Sequence, residues 1–140
     1  MTENPEPEKF QLEIEIQADD IDILGHVNNV VYLRYVQDAA ISHWNAAATE
    51  EDKRNFFWVV TRHEIDYKRP AFQNDVVVAQ TWIGESMNGL FERHTELLRK
   101  ADMKILAKAR TLWCPIDPLT KRPTQVSKSV FEHFSTNYPK

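Results

Sequence analysis

Polar and apolar residues alternate over 9–17. Phe10, Leu12, Ile14 and Ile16 fall on one side, and Lys9, Gln11, Glu13, Glu15 and Gln17 on the other. A period of two predicts a strand with one buried face and one wet face. A polar break at 18–28, ADDIDILGHVN, separates it from a helical pattern. There Leu33, Val36, Ala40 and Trp44 recur at helical spacing, and Val31, Tyr35 and Ala39 widen the stripe. This predicts a largely buried helix over 29–48, ~30 Å long at the standard rise per residue. Asn28 or Asn29 is its expected N-cap. The charged segment 49–55 reads as a loop.

The rest of the chain reads as strands. Residues 56–67 are aromatic and β-branched, and Pro70 follows. A second strand is expected over 75–85, with Val76, Val77, Val78, Trp82 and Ile83. Asn88-Gly89 is a hairpin signal, because both residues tolerate positive φ. Residues 91–99 continue the hairpin, and 100–103 break it. Ile105, Ala107, Ala109, Thr111 and Trp113 then form one strand face, with Lys108 and Arg110 on the other. Pro115, Pro118 and Pro123 are expected to end the sheet, and 127–134 reads as a short helix. Residues 1–8 read as a flexible N-terminus. The class is α+β: an antiparallel sheet of about five strands against one long helix. The free sheet edges and uncovered face are where a second copy would dock.

With 140 residues the chain is expected to be one domain, 1–140. Hydrophobic residues at 42% exclude a disordered chain. No apolar run approaches the ~18–20 residues of a membrane span, and the start does not resemble a signal peptide. Cys114 is the one cysteine, which rules out an intramolecular disulfide and suits a cytoplasmic protein. A net charge of -4 argues against a nucleic-acid partner. The three glycines, Gly25, Gly84 and Gly89, form neither of the common glycine-rich phosphate loops. The basic groups Lys68-Arg69, Arg93 with Arg99, Lys100 and Lys104, and Lys121-Arg122 read as solvated faces. They would hold phosphates if the ligand carries them.

Residues 20–29 carry the most chemistry. Asp20, Asp22, Gly25, His26, Asn28 and Asn29 lie together just before the long helix. A helix start presents unpaired N–H groups and a positive dipole end, which polarise a carbonyl or hold an oxyanion. A carboxylate beside it acts as nucleophile or as general base on water. Asp, Asn and Gly are equally what a strand-to-helix loop uses for turns and caps, so this reading stands beside the chemical one. A calcium loop fails at Leu24 and Val31. His63-Glu64 lacks the second His of a zinc-protease helix, and Ser86 lacks the closing Gly of a nucleophile elbow. His43 and His94 read as packed or surface residues. Trp44, Trp58, Trp82 and Trp113 read as core or subunit interface, although Phe56, Phe57, Trp58, Trp82 and Phe91 are also candidates for a pocket wall.

The run Asp20-x-Asp22-x-x-Gly25-His26-Val27-Asn28-Asn29, followed by Val-Val-Tyr32-Leu33-x-Tyr35, resembles the hotdog-fold acyl-CoA thioesterases of the 4-hydroxybenzoyl-CoA thioesterase group. Ile65-Asp66-Tyr67-x-x-Pro70-Ala71-x-x-Asn74-Asp75 agrees, with Asn74 where that group usually has Gly. The resemblance covers about 10–117. It implies a hotdog fold, a homodimer or homotetramer with sites at the dimer interface, and hydrolysis of an acyl-CoA without metal or cofactor. It makes Asp22 the catalytic acid. The N–H near Asn29 would polarise the carbonyl, with Gly25, His26 and Asn28 shaping the substrate site and Asp20 orienting the loop. Plant acyl-carrier-protein thioesterases share a related segment with Asn where this chain has Leu24, so a carrier-protein donor is the alternative. A non-catalytic acyl-CoA-binding protein is a further one.

Overall fold

Phe10, Leu12 and Ile14 turn inward on the first strand, β1 (Phe10–Glu15), as their alternation predicts. In this computed structural model, which describes residues 9–134, a 3₁₀ turn (Ala18–Asp20) and an irregular loop then lead to α1 (Asn29–Ala47). The flexible terminus expected at 1–8 lies outside the described residues. After α1 come α2 (Glu50–Asn55), β2 (Phe57–Tyr67), β3 (Val76–Met87), β4 (Leu90–Arg99), β5 (Ile105–Ile116) and α3 (Lys128–Phe134). The five strands form one antiparallel sheet in the order β1-β3-β4-β5-β2.

Register explains why α1 lies close to the sheet. One transverse row runs Leu12, Ala79, Leu97, Ala107, Tyr67, and the next runs Phe10, Thr81, Thr95, Ala109, Ile65. Apart from Leu97, alanine and threonine fill the middle of these rows, leaving room for a helix that carries Tyr32, Tyr35 and Val36. Asn88 and Gly89 both take positive φ, 54° and 78°, in the two-residue turn between β3 and β4.

Three expectations are corrected. Residues 50–55 are helical rather than a loop, and Thr49 caps them by accepting from the Asp52 N–H. A six-residue charged helix has no apolar stripe to reveal it. Pro115 lies inside β5 opposite Trp58 rather than ending the sheet. The pairing of β4 to β5 stops at Phe91–Trp113, and the Pro115 carbonyl accepts from the returning Thr124 N–H (3.0 Å). A missing N–H beyond the end of the neighbouring strand breaks no ladder. The buried stripe of α1 is also rotated from the expected one: Tyr32 and His43 are buried, whereas Leu33 and Trp44 sit at its margin.

His43 stacks on Phe10 and lies 3.0 Å from Arg93 Nη1. Burial, with the Arg93 charge added, pushes its pKa down to about 4. The folded value lies below the ordinary one of 6.5, so the neutral ring costs nothing above that pH. As pH falls from 6.5 to about 4 the unfolded chain takes up a proton that the folded chain refuses, and stability drops. The full effect is at most about 3 kcal/mol. Urea midpoints at pH 7.5 and 4.5 should differ less in His43→Gln than in the wild type.

Candidate active site

The loop before α1 is closed by its own backbone. Ile21 and Val27 form an antiparallel bridge. The Asp22 N–H donates to His26 O (2.9 Å) and the Gly25 N–H to Asp22 O (3.0 Å). Gly25 sits at the tip with φ +88°, where nothing would touch an added Cβ. Conformation rather than space therefore calls for glycine. The Val27 N–H reaches Ala71 O (2.8 Å), so the second resembling segment braces the first. Asn74 takes no positive φ in the turn closed by Asp75 N–H to Phe72 O (2.9 Å), so this turn does not require glycine.

Asp20 anchors this loop. It is buried, and its carboxylate accepts from Tyr35 Oη (2.7 Å), the Gln17 N–H (3.0 Å) and Arg34 Nη2. Burial pushes the carboxyl up, but the bonds from Tyr35, Gln17 and Arg34 outweigh it and hold the group below the ordinary carboxylate range. Its backbone carbonyl takes the Asn28 N–H (2.9 Å). Asp20 is therefore spent on the scaffold. Tyr35, whose hydroxyl donates to it, is pushed up strongly by burial and by that bond.

Asp22 is placed differently. Its Oδ1 accepts from the N–H groups of Leu24 (2.9 Å) and His26 (3.4 Å). Its Oδ2 takes no hydrogen bond among the described residues and lies 3.5 Å from His26 Nδ1. The side chain is 22% exposed, so a reactant can reach it. Asn28 is the N-cap: its Oδ1 accepts from the Val30 N–H (3.0 Å), which commits that oxygen to the helix. The N–H groups of Val31 and Tyr32 go to Asn28 O. The Asn29 N–H, first in the helix, meets no acceptor among the described residues, while its carbonyl accepts from Tyr67 Oη (3.2 Å). The structure thus brings Asp22, Gly25, His26, Asn28 and Asn29 into one loop, with a carboxylate oxygen and a helix-start N–H left over.

One hollow borders this arrangement and a second lies further along α1. The smaller one, of about 210 Å³, opens at the helix start, lined by His26, Asn29, Tyr32, Tyr67, Lys68 and Arg69 among others. Tyr32 and Tyr67 stack there at 5.8 Å, and Tyr32 Oη donates to Arg69 O (3.0 Å). Burial pushes the Tyr32 hydroxyl up to about 12, so it stays a donor at neutral pH. The larger cavity, about 540 Å³, lies under the C-terminal half of α1, between that helix, the sheet and α3. Trp44, Trp58 and Trp113 are in its wall, with Phe56, Phe57 and Phe91. None of the four tryptophans is fully buried, so they are not core residues of the protomer. Trp82 lies elsewhere, stacked on His94.

Sequence reasoning missed Arg93, which is in this wall and only 5% exposed. A signal was present: Arg93 falls in phase with Phe91, Thr95 and Leu97, the inward positions of β4. The other basic residues grouped with it point elsewhere, Arg99 bridging to Asp75 and Asp102 and Lys100 pairing with Glu13. No group of three or more His, Cys, Asp or Glu side chains is arranged to hold a metal ion among the described residues. No described helix is long and apolar enough to cross a membrane.

Comparison with known proteins bears on the family and the fold. The sequence profile of the acyl-ACP thioesterase N-terminal domain matches residues 7–134. The chloroplastic palmitoyl-acyl carrier protein thioesterase of Gossypium hirsutum is 29% identical over 107 residues, 70% of this chain and 26% of that protein. The acyl-CoA thioester hydrolase YbgC of Escherichia coli O6:H1 is 26% identical over 130 residues, 89% of this chain and 95% of that one. Among solved structures, Slr0204, a 1,4-dihydroxy-2-naphthoyl-CoA thioesterase from Synechocystis, superposes with a TM-score of 0.79 at 18% identity, over 94% of this chain and 100% of that one. The chain spans only about a quarter to a third of the plant proteins it matches. The fold is the hotdog fold, as the sequence resemblance implied.

Proposed function

The chain belongs to the acyl-ACP thioesterase family, and on that footing we propose that it hydrolyses an acyl thioester at the loop that opens α1. The carrying observation is that one loop leaves two groups without a hydrogen bond among the described residues, the Asp22 Oδ2 and the Asn29 N–H. The thioester carbonyl would sit over the start of α1, where the N–H and the helix dipole favour a developing oxyanion. Asp22 Oδ2 then attacks the carbonyl carbon or removes a proton from an attacking water. The tetrahedral intermediate collapses, the C–S bond breaks, and the thiolate leaves to take a proton. In the first route water then cleaves the acyl–Asp22 anhydride and restores the carboxylate; in the second the acid forms directly. Thioesters are activated acyl donors, so this residue set suffices without a cofactor.

The donor is the pantetheine thiol of coenzyme A or of an acyl carrier protein. The hollow beside the helix start, with Lys68 and Arg69 at its edge, suits a phosphorylated pantetheine arm. Thiol release from matched decanoyl-CoA and decanoyl carrier protein separates the two. At least tenfold higher kcat/KM for one identifies the donor. No release from either, by folded protein, rejects hydrolysis and favours the binding-protein reading.

The assembly we propose is a dimer through β2. This edge strand is eleven residues long and exposes Phe57 and Val59. Ile41 of α1, which shares the cavity wall with Phe57, is 53% exposed. A long, unpaired edge whose first four residues are apolar is a template for a second strand. Charges at Phe57→Glu and Val59→Glu together should convert a dimer to a monomer in sedimentation equilibrium. A wild type that sediments as a monomer would reject this assembly.

A further inference from the structure

Arg93 has a buried charge with no counter-charge. Its guanidinium lies within 3.0 Å of His43 Nδ1 and donates to Thr81 Oγ1 at 3.0 Å, and both partners are neutral groups. No Asp or Glu is ion-paired with it among the described residues, and none lines the large cavity. The second cation in that wall, Lys53, is already paired with Glu50 (3.2 Å). Two further wall residues, Trp58 and Trp113, bury indole N–H groups that have no acceptor among the described residues. Burial alone lowers the Arg93 pKa to about 10, which leaves it charged at neutral pH. An unpaired guanidinium in an apolar wall is costly, and a carboxylate brought to it offsets that cost.

Arg93 meets His43, fourteen residues past Asn29, or about 21 Å along α1, and the cavity lines this stretch from Gln37 onward. A long acyl chain spans that interval from a carbonyl at the helix start. We propose that the cavity takes an acyl chain whose far end carries a carboxylate, which pairs with Arg93. The substrate class is thus the half-thioester of a dicarboxylic acid. The inference rests on the thioesterase reading for its route into the site, but the charge in the cavity is independent of catalysis. Arg93 is a specificity-determining residue: it grips the tail and leaves the bond-breaking to the loop. Guanidinium and carboxylate pair through two parallel hydrogen bonds, so the contact selects against a methyl terminus, which would leave the charge unpaired.

Two measurements test this. The first compares kcat/KM for palmitoyl-CoA and for ω-carboxypentadecanoyl-CoA, which differ only at the chain end. The wild type should prefer the carboxylated chain at least about tenfold. Arg93→Met should bring the ratio to one or below, and Arg93→Lys should keep a partial preference. The second uses the two uncleavable thioether analogues, S-hexadecyl-CoA and S-(ω-carboxypentadecyl)-CoA, with tryptophan fluorescence as the readout. The wild type should bind the carboxylated thioether at least about tenfold more tightly. Preference in binding without turnover of either thioester would uphold the cavity assignment and reject hydrolysis. Turnover with equal or better use of palmitoyl-CoA would uphold hydrolysis and overturn the assignment. The wild-type comparison decides the matter even if Arg93→Met does not fold.

Discussion

Asp22→Ala should lower kcat/KM for thiol release about a hundredfold or more, while the protein still folds and binds its substrate. The size follows from what is removed. Oδ2 is accessible, lies in the loop that opens α1 and takes no hydrogen bond among the described residues. Asp20, two residues earlier, cannot substitute, because its carboxylate is buried under Tyr35, Arg34 and the Gln17 N–H. Folding should suffer little. The variant loses two turn bonds, to Leu24 and His26, together worth about 1–2 kcal/mol, a shift of a few degrees in Tm. Asp22→Asn keeps an oxygen for those bonds and removes the charge. It should be as inactive as the alanine variant and more stable, which separates chemistry from loop structure.

Asp20→Ala should do the opposite damage. Removing its carboxylate strands the buried Tyr35 hydroxyl and frees the Gln17 N–H, and Arg34 turns out to solvent. We expect a loss of about 2–4 kcal/mol, read as a fall in the urea midpoint. Turnover should fall as well, because the Asp20 backbone and side chain together set where α1 begins. Since Asp20 acts through the loop, the stability loss should persist in an Asp22→Asn background, whereas the turnover loss should not add to it. The Tyr35→Phe variant removes one of the three donors and should show a smaller version of the same stability change.

Much of the site was legible because it is local. Asp22, Gly25, His26, Asn28 and Asn29 are close in sequence, and a tight loop leaves few ways to arrange them. An N-cap at Asn28 or Asn29 follows from residue type, and the structure selects Asn28. The strands were legible wherever one face is wet, as in β1, where every second residue declares its side. Other features depend on neighbours. The helix stripe was misplaced by part of a turn because Tyr32 and His43 are polar by composition. Each is buried by a specific partner, Tyr32 against Tyr67 and His43 against Phe10. Arg93 looked like one more surface cation until the sheet placed it between Phe91 and Thr95 on the inner face. The large cavity was least legible of all, since its wall draws on residues far apart in sequence, from Gln37 to Phe134. Its tryptophans are spread from Trp44 to Trp113, and α3 supplies Val130 and Phe134.

The chemistry also sets a distinct expectation for specificity. The loop opens α1 and the cavity lies along its C-terminal half, so changes in the cavity should alter which chain is cleaved, and changes in the loop should alter whether any chain is cleaved. Asp22 and Arg93 substitutions should therefore separate in a kinetic panel, the first acting on every substrate alike and the second on the ratio between substrates.

The most direct test is thiol release from a panel of acyl-CoAs, from acetyl through palmitoyl and including ω-carboxypentadecanoyl, by the wild type and Asp22→Asn side by side. The proposed mechanism predicts release from at least one substrate by the wild type, and about a hundredfold less from the same substrate by the folded variant. Equal release by both proteins would contradict it, because the thioester would then be cleaved without the Asp22 carboxylate.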